Sequence, residues 1–123
     1  MPRAPDLAAI AEVGALLSSG CEVSRQRLAL AARAVVAALA SRHPGSSIEI
    51  RVPPYAAAQV GAVDGQGPNH HRGTPPNVVE LAPSTIIQLA VGSLTWDDAV
   101  AAGLVSYSGA HAGEVALMLP LTF

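Results

Sequence analysis

The sequence predicts one domain of the α/β (α+β) class, with helices and strands mixed along a single chain. Three observations carry that expectation. The chain has 123 residues, room for one domain at roughly 100–200 residues each. Half of it is apolar, only 13% is charged and the formal charge is −2, which is the balance of a core-forming protein rather than a disordered one. The apolar pattern also changes along the chain, from a helical period over residues 24–42 to strict alternation over residues 48–52 and then back.

Residues 6–17 set Leu7, Ile10, Gly14 and Leu17 on one helical face with Glu12 opposite, a short amphipathic helix ending near Ser18-Ser19-Gly20. It reads as an N-terminal extension, residues 1–22, ahead of a single domain of residues 23–123. Ser24 is placed to cap a second helix running to about Arg42. In that helix Leu28, Ala32, Val35 and Leu39 share a face, Arg33 points away, and His43-Pro44-Gly45 stops it. Ile48, Ile50 and Val52 then alternate with Glu49 and Arg51, a strand with one buried face that Pro53-Pro54 closes. Residues 55–63 form a second extended segment, although Ala56-Ala57-Ala58 equally suits the start of a helix. Residues 64–77 hold three Gly and three Pro and form the one long loop, of a length that is usually functional or disordered.

Residues 78–81 read as a third strand. Pro83 stands where a helix begins, carrying Ile86, Leu89 and Ala90 to a stop at Gly92. Thr95 caps the next helix with Asp98 at the third position, and Leu94 is placed to pack on Ala99. Asp97 and Asp98 lie in its first turn, where the helix dipole favours carboxylates. Gly103 closes it. Val105 and Tyr107 alternate with Ser106 and Ser108 as a final strand, and residues 111–119 make a last helical turn or two.

Several function classes drop out. All seven basic residues are Arg, interleaved with acids and alanines, so no basic stripe marks a nucleic-acid footprint. The longest apolar run, residues 28–40, contains Arg33 and is short of the ~20 residues that span a bilayer. Glu12 interrupts the early apolar stretch, so a signal-peptide core is missing. The lone Cys21 cannot form an intrachain disulfide. Together these point to a cytoplasmic protein. Among the hydrophobic residues 24 are Ala and four are aromatic; an interior so built either packs its backbones very closely or leaves a void.

No catalytic constellation emerges, and the chain is not expected to be an enzyme or to hold a cofactor. His70, His71 and His111 place no two ligands on one helix face, so no metal site is expected. Ser84 and Ser108-Gly109 lack a nucleophile elbow, and no glycine-rich phosphate loop follows a strand. Cys21 is either a buried small hydrophobe or a thiolate. In Arg72-Gly-Thr-Pro-Pro-Asn77 the double proline forces extended backbone. Its Arg72 either clamps the carboxylate or phosphate of a ligand headgroup or pairs with a local acid such as Glu80. Trp96 is either a core anchor or the wall of a ligand pocket.

The stretch Gly92-Ser-Leu-Thr-Trp96-Asp-Asp-Ala99-Val-Ala-Ala-Gly103-Leu-Val-Ser-Tyr-Ser-Gly109 resembles the closing section of sterol carrier protein 2-like (SCP2) domains. Val52-Pro-Pro-Tyr-Ala-Ala-Ala-Gln59 and Arg72-Gly-Thr-Pro-Pro-Asn-Val-Val-Glu80 are similar to the actinobacterial branch called sterol carrier family proteins. The resemblance covers residues 24–121 and implies an antiparallel β-sheet covered on one face by helices, with the N-terminal helix additional and four strands where the family has five. It also implies an apolar cavity between sheet and helices for a fatty acyl, acyl-CoA or sterol-like ligand. The walls would come from Ile50, Val52, Ala58, Val60, Val79, Ile86, Leu89, Trp96, Val100, Val105 and Tyr107, with Leu117 and Leu121 near the mouth. The other expectation is an interaction subunit of the same fold with a filled core, meeting a protein partner through the N-terminal helix or the 64–77 loop.

Overall fold

The structure, a computed structural model, describes residues 3–61 and 77–123. The elements run α1 (Ala4–Ser18), α2 (Arg25–Arg42), β1 (Ile48–Val52), β2 (Ala56–Val60), β3 (Asn77–Leu81), α3 (Pro83–Val91), α4 (Trp96–Ala101), β4 (Val105–Ser108) and a closing 3-10 helix, Ala112–Met118. Local chemistry sets the boundaries. Ser24 Oγ accepts the Arg27 N–H at 3.2 Å and Thr95 Oγ1 accepts the Asp98 N–H at 3.1 Å, each satisfying a donor that a helix start leaves without a partner. Gly92 ends α3 at φ +84°, in the left-handed region that only glycine enters at little cost.

The four strands lie in the order β2-β1-β3-β4. β1 pairs antiparallel with β2, with Ile50 opposite Ala58, and β3 pairs antiparallel with β4, with Val79 opposite Tyr107. The central pair, β1 with β3, is parallel, Ile50 facing Val79. The expected mixed α/β fold with a mainly antiparallel sheet is thus found, with the one refinement of a single parallel pair. The reason is topological. The tight connection at residues 53–55 sends β2 back to the starting end of β1, so a strand added at the other edge of β1 sets out in the same direction as β1. Parallel neighbours need a connection of roughly a dozen residues or more, and here the chain from the end of β1 to the start of β3 supplies it.

Alternation decides the faces. Ile48, Ile50 and Val52 of β1, Val60 of β2, and Val79 and Leu81 of β3 are buried, while Glu49, Arg51, Gln59 and Glu80 lie on the opposite face. Helices cover the apolar side: α2 packs on β2, and α1, α2 and α3 pack on one another. α2 contributes Ala31, Ala32, Ala34, Val35, Ala38 and Leu39, so its small side chains let the helix approach closely. α1 adds Ile10 and Val13 to the same core. Full burial of one Val, Leu or Ile side chain stabilises by ~1.5–3 kcal/mol, and Ile10, Val35, Leu39, Ile48, Ile50, Ile86 and Ile87 are all fully buried. β4 departs from the alternation: Val105 is half-buried and Tyr107 exposed, because β4 is an edge strand of the sheet.

Candidate functional site

The end of α3 and the end of the chain meet to form an apolar cleft. After Gly92 the backbone folds back, with the Ser93 N–H donating to the Gln88 carbonyl at 3.1 Å. That reversal sets Leu94, Thr95 and Trp96 beside the last turn of α3. From the other side, the Leu121 N–H donates to the Ala90 carbonyl at 2.9 Å and the Leu121 side chain is buried, which fixes Leu119 and Pro120 against the same turn. The cleft between them measures about 260 Å³ and is lined by Leu89, Gly92, Leu94, Thr95, Trp96, Ala116, Leu119 and Pro120.

Among the described residues no ionisable side chain lines this cleft. The Thr95 hydroxyl oxygen accepts the Asp98 N–H. Trp96 is half-buried and meets Tyr107 with ring centroids 6.0 Å apart at 50°, an arrangement aromatic pairs favour. Tyr107 therefore holds the indole in place from the edge of the sheet. The walls of the cleft are mainly apolar among the described residues.

Of the residues expected to line a cavity, Leu89 and Trp96 come together here. Ile50, Val52, Val60, Val79 and Ile86 are fully buried among core side chains. Ala58, Val100 and Val105 are half-buried, Tyr107 is 49% exposed, Leu117 is 72% exposed and Leu121 is buried. Arg72, His70 and His71 lie outside the described residues. Gly92, Leu94, Thr95, Ala116, Leu119 and Pro120 were not anticipated as lining. The stop at Gly92 and the cap at Thr95 are legible in the sequence, but their meeting with residues 116–120 is a long-range fact.

Other candidates take structural parts. Cys21 is exposed, which corrects its reading as a buried small hydrophobe. Buried Asn77 donates through Nδ2 to the Ser47 carbonyl at 2.9 Å and accepts the His111 N–H at 2.8 Å, tying β3 to the connections before β1 and after β4. The His111 ring pairs with Glu114. Among the described residues no three His, Cys, Asp or Glu side chains gather as a metal-binding group, and no helix is long and apolar enough to cross a membrane.

The family described as bacterial SCP ortholog matches residues 24–121. The chain belongs to that family. No curated protein matches it. The bacterial SCP ortholog segment takes in α2, all four strands, α3, α4 and the 3-10 helix, and with them every residue lining the cleft. It leaves α1 outside. The resemblance to a sterol carrier protein-like domain is thus borne out over the span expected from the sequence.

Proposed function

We propose that this chain is a cytoplasmic, non-catalytic binder of a lipid-like ligand of the fatty acyl, acyl-CoA or sterol-like class, with hydrocarbon held in the cleft beside Trp96. One observation carries the reading: within a sterol carrier-like segment lies a cleft whose walls are mainly apolar and, among the described residues, free of ionisable groups. Leu89 and Trp96 are its hydrocarbon contacts, Ala116 sets its width and Tyr107 steadies the indole. At about 260 Å³ the cleft falls just below the ~300–1,000 Å³ of sites that enclose a whole small molecule, so it suits part of a chain or ring system. Each methylene buried contributes about 0.8 kcal/mol, and roughly six would supply about 5 kcal/mol, offset in part by the cost of association.

Native mass spectrometry of protein purified from its own host tests this. Co-purifying lipid that is lost in Ala116→Leu, with the fold intact by circular dichroism, is the expected result. The second reading, an interaction subunit with a filled core, draws on the complete burial of Ile50, Val52, Val60, Val79 and Ile86 and on the exposure of Leu117. A clean ligand-free mass together with a retained protein partner would favour it.

A further inference from the structure

A second depression, sharing no residue with the cleft, lies along the outer side of α2. It is shallow and wide open to solvent, spans about 520 Å³ and is lined by Arg25, Gln26, Ala29, Leu30, Arg33 and Tyr55. Arg25, Ala29 and Arg33 recur every fourth residue and so share one stripe of the helix, while Leu30 is 49% exposed beside them.

The two guanidiniums differ from their neighbours in having no acid. Arg27, between them in sequence, is paired with Glu12; among the described residues neither Arg25 nor Arg33 makes an ion pair. Arg33 is nevertheless held in place. Its Nε–H donates to the Tyr55 carbonyl at 3.2 Å and its guanidinium lies 5.9 Å from the centroid of the Tyr55 ring. That leaves the two terminal NH₂ groups, the prongs of the fork, without a protein partner among the described residues. A fixed cationic fork gives up less side-chain freedom on meeting an anion than a mobile one.

We propose that this groove binds a phosphate monoester bearing a short hydrocarbon, the phosphate held between Arg25 and Arg33 and the hydrocarbon lying on Ala29, Leu30 and Tyr55. Phosphate is favoured over carboxylate because it brings up to two negative charges rather than one, and three terminal oxygens rather than two, to the two forks. Charge sets the occupant: two cations without an acid partner among the described residues flank an apolar floor. Because the groove and the cleft share no residue, the failure of one reading leaves the other standing.

Hexyl phosphate, which is monomeric and carries both parts, is the probe. Followed by NMR, it is expected to shift the Arg33 Nε–H and Leu30 methyl resonances along one saturable curve. Inorganic phosphate should bind at least tenfold more weakly, the loss of about two methylenes' worth of burial from a chain that lies mostly exposed in the groove, and Arg25→Gln or Arg33→Gln should each weaken hexyl phosphate about tenfold. Arg25, exposed at the first turn of α2 and with no side-chain partner among the described residues, keeps the test sound should Arg33→Gln disturb the Tyr55 turn. The proposal is overturned if hexyl phosphate gives no saturable shift, if inorganic phosphate binds equally well, or if the arginine variants bind like wild type. It is also overturned if only vesicles containing phosphatidic acid bind, for the groove would then be reading a membrane surface.

Discussion

Gly14→Ala probes whether α1 is packed on the end of α3 as tightly as the geometry says. A Cβ built on Gly14 falls 2.6 and 2.8 Å from Cγ1 and Cγ2 of Val91 and 3.2 Å from its Cβ, well inside the ~3.5–4.0 Å at which carbons attract. Valine is stiff at χ1 in a helix, so Val91 cannot swing aside and the two helices must part. Overpacking of this kind costs ~1–3 kcal/mol, and alanine recovers about 0.8–1 kcal/mol of the helix propensity that glycine forfeits. The net expectation is destabilisation by about 1 kcal/mol. In a Val91→Ala background the obstructing carbons are gone and only the propensity remains, so the same substitution should stabilise by ~0.5–1 kcal/mol. Urea unfolding followed by circular dichroism, with linear extrapolation, measures both steps. If Gly14→Ala stabilises equally in the two backgrounds, α1 does not sit on α3 in this way. The result matters because α1 lies outside the family-matched segment and yet supplies Ile10 and Val13 to the core.

Three further outcomes follow from burial and bonding. Trp96→Ala should cost about 2 kcal/mol, less than the 3–5 of a fully buried aromatic, because the indole is half-buried against the cleft; thermal or urea unfolding checks it. Asn77→Ala should cost about 3 kcal/mol in the same assay, since it strips partners from the Ser47 carbonyl and the His111 N–H and each such loss costs ~1–3 kcal/mol. Ala99→Leu, at a fully buried position, should lose ~1–3 kcal/mol to overpacking, whereas Ala58→Leu, half-buried on an edge strand of the sheet, should change stability by under about 1 kcal/mol.

What local chemistry specifies was legible in the sequence. Ser24 and Thr95 announced helix starts through hydroxyls that the structure shows accepting N–H bonds, and Gly92 announced the end of α3 through a backbone angle other residues avoid. The alternation of Ile48, Ile50 and Val52 with Glu49 and Arg51 announced β1 and its buried face. Pairing was not legible. The parallel match of β1 with β3 depends on which edge of β1 remains after β2 has docked, and no residue of β1 or β3 encodes that alone. The position of the cleft was hidden for the same reason: Leu89 and Trp96 were singled out as apolar wall, but Ala116, Leu119 and Pro120 reach them only because Leu121 bonds to Ala90. Tyr107 followed the alternation of a half-buried strand, yet at the sheet edge it meets Trp96 of α4 and still stays about half exposed.

The most direct measurement of the central claim uses the chain's single tryptophan, which stands in the wall of the cleft. Titration with a saturated long-chain fatty acid, below its aggregation threshold and followed by Trp96 emission, should give a blue shift that saturates at micromolar concentration as hydrocarbon replaces water at the indole. Ala116→Leu, which takes up part of the cleft and narrows it, should abolish the shift while the circular dichroism spectrum stays unchanged. An emission spectrum indifferent to the fatty acid, in protein first stripped of bound lipid, would contradict the account, as would a saturable shift that survives Ala116→Leu.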